Sequence, residues 1–368
     1  ISARLLQKHE DISMSLVNPR SFLEYHGAMY RMALGASAEE VCLRYDDIFT
    51  DPERIHVRDV VMNIDTKNRK VLGESGCHLS YDTLILCPGS VPQYFNIPGV
   101  EQFSESFHSS ASAAHLRRSL QRIFSDEEGM SINDIVIVGG GATGIELAGE
   151  IAERKKTSTS HRDVTIHIVE AQSRFFGKLP PRVHSYVHSY FEKVGIRIHL
   201  SETVKEERSS EVILSSGSIR NPLVIWTAGV RAHPLIAATG LPTDQRGRAT
   251  VDTSLQVIGH PEIFVLGDAA ATEKSGMAQT ALYDGSFAAT CILANLRKTG
   301  KPMYHPPEPI IAIPLGRRSA IACFRGTVVT GYLGWCIRRL ADVIVFMKLL
   351  PFSAALRTFM CRNGKERD

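Results

Sequence analysis

The stretch 135–150, IVIVGGGATGIELAGE, sets the tightest limit on how this chain folds. Four apolar residues, Ile135 to Val138, read as a buried strand. A glycine turn follows at once, with Gly139, Gly140, Gly141 and then Gly144. Ile145, Leu147, Ala148, Ile151 and Ala152 then recur at helical spacing. Strand, glycine turn and helix in this order make a dinucleotide site. Gly139 permits the tight turn, Gly141 lets the backbone approach a pyrophosphate, and Gly144 lets helix and strand pack closely. Free N–H groups and the positive dipole end of the helix then face the phosphates. The next strand covers 164–169 and ends on Glu170, 26 positions after Gly144. A carboxylate there accepts from the ribose hydroxyls of NAD(H) and repels the 2′-phosphate of NADP(H). The plainer alternative is a buried strand whose glycine turn binds nothing.

At 368 residues and 43% hydrophobic, the chain can fill the cores of two or three domains. A net charge of +3 is too balanced for a nucleic-acid binder. Seven cysteines are scattered, odd in number and without a CxxC, which argues for reduced thiols and against a disulfide framework or a zinc site. No signal peptide is visible, and no apolar run approaches the roughly 18–20 residues of a spanning helix. The chain opens on Ile1 rather than Met, as a fragment or processed product would.

Residues 1–8 read as the tail of an amphipathic helix, and 13–17 as a strand ending at Asn18-Pro19. Asn18 holds the place after its strand that Glu170 holds after 164–169. The matching glycine turn would lie about 20 residues or more before Asn18, ahead of the first residue. The expectation is therefore two dinucleotide units, the first truncated. Strands are predicted over 57–65, 70–72 and 78–86, the last leading into Cys87-Pro88-Gly89, and a helix over 111–124. After Glu170 come a helix over 182–194 and strands over 197–200, 203–206 and 211–214. A buried strand from Leu223 ends in Ala228-Gly229, and 250–252 reads as a short strand. Another strand from Glu262 ends in Gly267-Asp268 and precedes a helix over 278–296. Three strands, 310–315, 319–324 and 327–332, and a helical tail finish the chain. Alternating strands and helices argue for α/β with parallel sheets.

These pieces in this order resemble the two-dinucleotide pyridine nucleotide oxidoreductase family of flavoproteins. Within it they are most similar to type II NADH dehydrogenases (NADH:quinone oxidoreductases). The carriers are GGGATGIELAGE at 139–150 with Glu170, VIWTAGVRAHPLI at 224–236 and FVLGDAA at 264–270. Weaker ones are YDTLILCPGS at 81–90, AQTALYDG at 278–285 and LGWCIRRLADVIVFMKLLP at 333–351. The resemblance implies an α/β fold with two Rossmann-like dinucleotide-binding domains of three-layer ββα/βα form, plus a C-terminal α+β tail. The NADH domain, 109–229, would be inserted in a discontinuous FAD domain, 1–108 and 230–308, with the tail at 309–368. Its cofactors would be FAD and NADH. The implied reaction passes a hydride from NADH to the flavin, then two electrons to a quinone or other small acceptor.

The same resemblance assigns residues. Asp268, after Gly267, would meet the ribityl and pyrophosphate region of FAD, although a strand-end Asp alone is as often a helix N-cap. Pro88-Gly89 and Ala228-Gly229 match the strand ends where backbone brushes the cofactors, and Cys87 and Pro88 depart from the usual residues there. Asn18 stands where the family often has an acid; it would bond a ribose hydroxyl or simply form a turn beside Pro19. Glu146 either complements the dipole in a first helical turn, worth about 0.3–1 kcal/mol, or acts near the nicotinamide–flavin contact. Ala278-Gln279 resembles the start of an AQxAxQ-like run facing flavin and quinone, with Tyr283 or Asp284 near the place of the absent second glutamine.

From Leu333 onward seven Lys/Arg face three acids, and Trp335 lies among apolar residues at helical spacing. That suits a peripheral membrane surface contact on the cytoplasmic side, with a homodimer face or packing on the flavin domain as alternatives. Arg338-Arg339 alone would read as a solvated face. A soluble cytoplasmic protein is the other localisation.

Competing readings remain at this level. Disulfide reductases need a CxxxxC pair, and Cys42 is single in its region. Sulfide:quinone oxidoreductases work through cysteines at the flavin, and none lies between Cys87 and Cys291. Reductases of redox proteins, apoptosis-inducing-factor-like enzymes and a degenerate, non-catalytic nucleotide-binding module stay open.

Overall fold

A computed structural model describes residues 1–125, 132–158, 162–300 and 302–364; side chains are described up to 360. A five-stranded parallel sheet organises it, in the order Glu105–Ser106, Pro222–Trp226, Asp134–Val138, Thr165–Glu170, Ile196–Leu200. The central strand pairs Val138 with Val169 on one side and Trp226 on the other. Its apolar run is continuous because both faces are covered. Ile135 and Ile137 pack under the helices Ser110–Phe124, Ala142–Thr157 and Pro181–Val194. Val136 and Val138 face the other way, onto Val204, Val212 and Leu214 of a three-stranded antiparallel meander. The result is three layers, ββα.

Strand order reverses between Asp134–Val138 and Pro222–Trp226. In open α/β sheets the crevice beyond the carboxyl ends at such a point is where ligands bind. The glycine turn leaves the sheet there.

A second sheet pairs Leu84–Leu86 parallel with His260–Val265, and the latter antiparallel with Gln256–Val257. Leu16–Val17 runs parallel with His56–Val57. The helix Ala278–Leu296 packs beside Ser2–Leu6, whose Ser2 hydroxyl donates to the Gly285 carbonyl at 2.7 Å. Three antiparallel strands, Ile311–Pro314, Ala320–Phe324 and Thr327–Thr330, precede the helices Gly331–Leu349 and Phe352–Gly364. This C-terminal sheet seats on the helix after the glycine turn. A Cβ at Gly149 would fall 2.6 Å from the Leu315 carbonyl, so only glycine allows the approach.

Several expected bounds shift. The strand expected over 57–65 is two pieces, His56–Val57 and Val61–Asp65, because the Asp59 carboxylate accepts the N–H groups of Val60 and Ser75 and turns the chain. The run 78–86 likewise splits into His78–Ser80 and Leu84–Leu86. Within 250–252 Val251 alone makes an isolated bridge, to Val257, and no strand forms. The last strand stops at Thr330, where Gly331 at φ +70° begins the helix that takes in Tyr332.

Candidate functional site

The helix Ala142–Thr157 starts without a side-chain cap, since its N-cap is Gly141. Its first N–H groups therefore have no side-chain acceptor, and Gly141, Ala142 and Thr143 are exposed. A Cβ at Gly141 would meet nothing within 4 Å, so the approach to these donors is open. The neighbouring glycines are there for packing instead. A Cβ at Gly144 would lie 1.9 Å from the Gly139 carbonyl, and one at Gly139 would lie 2.8 Å from Ala228 backbone atoms. Glu170 closes the turn: its carboxylate accepts Gly140 N–H at 2.7 Å and Gln172 N–H at 2.8 Å. Both oxygens keep further lone pairs for hydroxyl donors.

Across the molecule, parallel pairing of Leu86 with Val265 delivers Pro88-Gly89 and Gly267-Asp268 from adjacent strand ends. The Ser90 hydroxyl donates to Asp268 at 2.8 Å, and the buried Asp284 accepts Gly267 N–H at 3.1 Å and the Tyr304 hydroxyl at 2.6 Å. His108 bonds the Ser90 carbonyl and meets the His26 ring edge-on at 5.6 Å. Burial and then His108 hold His26 below the usual imidazole range, against the pull of Glu24 and Asp268. Sequence reasoning missed His26 and His108. The only local signal was the aromatic density of 22–30.

One ribbon joins the two turns. Ser90–Pro92 pairs antiparallel with Val230–Ala232, Gln93 N–H donates to the Gly229 carbonyl at 3.0 Å, and Trp226 Nε1 donates to the Gln93 carbonyl at 2.9 Å. Thr227 N–H and hydroxyl both donate to the Val138 carbonyl at 2.8 Å, and so hold Ala228-Gly229 beside Gly139. The glycine finger, Ala228-Gly229, Pro88-Gly89 and Asp268 thus lie along one hydrogen-bonded path.

Two expected residues sit differently, and a third, Asn18, takes the turn that is one of its two readings. Glu146 lies in the second turn of its helix, not the first, so dipole complementation does not explain it. Burial pushes its carboxyl up to about 8; Arg338 opposes the rise, and Asp342 and Glu150 add to it. The Gln279 amide is closed on the backbone of Ile310, donating to its carbonyl at 2.9 Å and accepting its N–H at 3.1 Å. Asn18 Oδ1 accepts Arg20 N–H at 2.9 Å, an Asx turn beside Pro19. Ala278 is exposed and opens its helix, whose N-cap Met277 supplies no side-chain cap.

The pyridine nucleotide-disulphide oxidoreductase family model matches residues 3–285. The chain belongs to this family. Among curated relatives, the type II NADH:quinone oxidoreductase Ndh of Mycobacterium tuberculosis is 25% identical over 363 residues, 90% of this chain and 78% of the relative. Demethylphylloquinone reductase NdbB of Synechocystis is 29% identical over 305 residues, 78% of this chain and 72% of the relative. NDH2 from Plasmodium falciparum, solved in complex with NADH, shares the fold at a TM-score of 0.82 and 15% identity, over 96% of this chain and 93% of that one. Members of this family carry out redox chemistry on a pyridine nucleotide, and the two Rossmann-like units of this chain have that architecture.

The C-terminal helix corrects one expectation about its arginines. Arg338 and Arg339 are buried, not solvated. Arg338 bonds Asp342 and the Gly27 carbonyl, and Tyr25 donates to Asp342 at 2.6 Å. The Arg339 guanidinium lies over the rings of Trp335 and Phe359, at 5.5 and 4.7 Å. Of the basic residues counted in the tail, Arg362, Lys365 and Arg367 lie outside the described side chains.

Proposed function

We propose that this chain is an FAD-dependent NADH:quinone oxidoreductase. The observation that carries it is the hydrogen-bonded path from the glycine finger to Asp268. In this reading that path joins the turn that would hold the nucleotide to the strand ends that would hold the flavin. Names carried by the mycobacterial and cyanobacterial relatives point to NADH as donor and a quinone as acceptor.

The residues fit both cofactors. Uncapped donors at Gly141–Thr143, with free space above Gly141, suit the pyrophosphate of NADH. Glu170 at the strand end suits its ribose. On the flavin side, the uncapped start of Ala278–Leu296 offers first-turn N–H groups, and the buried Thr280 hydroxyl has no hydrogen-bond partner among the described residues. Gly89 and Gly267, both at positive φ, bring backbone close to that side, and Asp268 supplies a carboxylate there. Flavin, when bound, accepts a hydride and returns two electrons.

The residues of this chain bind, orient and manage protons. Gly139 to Gly144 and Glu170 would hold the nucleotide, and Ala228-Gly229 and Pro88-Gly89 would bring backbone up to the cofactors. A carboxyl with its affinity for protons raised to about 8 is protonated near neutral pH, so Glu146 can hold a proton for the reduced acceptor. Ala278 and Gln279 open a helix whose first-turn N–H groups would face the flavin and its acceptor, with the Gln279 amide held on Ile310. In this reading residues 1–108 with 230–308 form the FAD domain and 109–229 the NADH domain, whose sheet also takes in Glu105–Ser106; the pairing of strands before residue 100 with strands from 230 onward supports the division.

The acceptor side meets a lipid surface. Leu333, Leu340, Ile344 and Met347 of Gly331–Leu349, with Phe352, Leu356 and Met360 beyond it, are exposed apolar side chains along the two C-terminal helices. No helix among the described residues is long and apolar enough to cross a membrane. Co-sedimentation with phospholipid vesicles tests the surface: binding that Leu340→Glu with Ile344→Glu abolishes supports it. A concentration-dependent dimer that the same pair breaks, without vesicle binding, refutes it. For the activity, the flavin-loaded protein is mixed with NADH and a short-chain quinone. NADH consumption that requires both supports the assignment, and none above buffer controls refutes it.

A further inference from the structure

A cavity of about 660 Å³ opens on the far end of the helix that begins at the glycine finger. It shares no residue with either dinucleotide site. Seven arginines and three glutamates line it, drawn from the segment 30–40, the helices Ser110–Phe124 and Ala142–Thr157, the turn 314–318 and the helix Gly331–Leu349. Two of the seven, Arg338 and Arg339, are the buried pair already described. Arg31 lies 3.6 Å from Glu40, and Arg117 donates to the Ala36 carbonyl at 3.4 Å. Arg154 and Arg318 are exposed at the rim, and their guanidinium groups have no hydrogen bond or ion pair among the described residues. Among the acids, Glu153 is drawn to Lys156 at 2.9 Å and to the Tyr190 hydroxyl.

A cation in a last helical turn complements the dipole, which accounts for Arg154 alone. It does not account for arginines converging from separate elements. Like charges in a concave site repel one another, and the low-dielectric walls sharpen that field. An anion relieves the repulsion, and guanidinium forks match phosphate oxygens two at a time. The volume exceeds what a bare phosphate fills and falls in the range of small-molecule sites, about 300–1,000 Å³. Tyr30 and Trp335 add ring surface to the lining.

We propose that this cavity binds a phosphate ester of nucleotide or lipid-headgroup size, held by Arg117, Arg154, Arg317 and Arg318. Such a ligand bridges the nucleotide-binding unit and the C-terminal helix. The headgroup source rests on the lipid-facing reading of that helix; the free-ester source does not.

The test uses the flavin-loaded full chain saturated with NAD⁺, so that the glycine finger is filled. Inorganic pyrophosphate and ATP are titrated while the melting temperature is followed, for the wild type and for Arg154→Gln with Arg318→Gln. Both substituted residues are exposed, and NADH oxidation should be unchanged. The wild type is expected to rise by about 2–4 °C at saturation and the double variant by less than half of that. In a second arm, vesicles of phosphatidylcholine with and without phosphatidylglycerol are compared. A soluble ester acts in the first arm without vesicles. A headgroup gives phosphatidylglycerol-dependent binding that pyrophosphate displaces and the double variant lacks. Identical behaviour of wild type and double variant in both arms would overturn the proposal, as would no response of the wild type in either.

Discussion

At Gly141 and Gly144, one added methyl group separates binding from folding. Gly144→Ala drives a Cβ to 1.9 Å from the Gly139 carbonyl and should cost about 1–3 kcal/mol of stability, read as a lower denaturant midpoint. Gly141→Ala points into open space and should cost at most about 1 kcal/mol as an N-cap change. Its effect should appear instead as a raised KM for NADH with kcat held. Removing the charge at Glu170 with Glu170→Gln should narrow the preference for NADH over NADPH by roughly tenfold, about 1.4 kcal/mol. Glu146 makes a pH statement. Its carboxyl is raised from 4.5 to about 8 on folding, so the native state binds more protons than the unfolded chain between those values. Stability therefore falls as pH rises across that window. Glu146→Gln should flatten the fall, and a stability–pH curve parallel to that of the wild type would remove Glu146 as its source. These roles were uneven in legibility. Glycines and Glu170 act through local backbone chemistry, which the sequence carries. The Gln279 clamp on Ile310 depends on a partner 31 residues away that no local pattern announces.

The elements divide along the same line. Apolar periodicity placed the central strand to within one residue and the helix Ala278–Leu296 at its ends, and it located the helix Ala142–Thr157 without fixing where that helix stops. It failed where a single side chain redirects the backbone, as at Asp59, and where a charged residue points inward. The helix Gly331–Leu349 is the clearest case. Its arginine pair has the composition of a wet face, yet Arg338 is locked between Asp342 and Gly27. Tertiary partners contributed by residues 25–30 decide this, and they lie more than 300 positions away. Asp342→Ala should leave Arg338 buried without its counter-charge and cost about 3–5 kcal/mol. Leu340→Ser, on the exposed side of the same helix, should change stability by no more than about 0.5 kcal/mol. A urea titration of the two variants separates the inward face from the outward one.

For the molecule as a whole, alternation of strands and helices fixed the class, and the motif order fixed the family. The contact between the two cofactor turns was not readable. It is made by strands near residues 91 and 231, whose pairing closes the gap between a glycine finger and Asp268. The proposed function rests on that proximity. Stopped-flow mixing of the flavin-loaded protein with NADH or NADPH, without oxygen, tests it most directly. NADH should bleach the flavin absorbance faster than NADPH, and added quinone should restore it. Faster bleaching by NADPH, or a flavin that neither nucleotide reduces, would contradict the assignment.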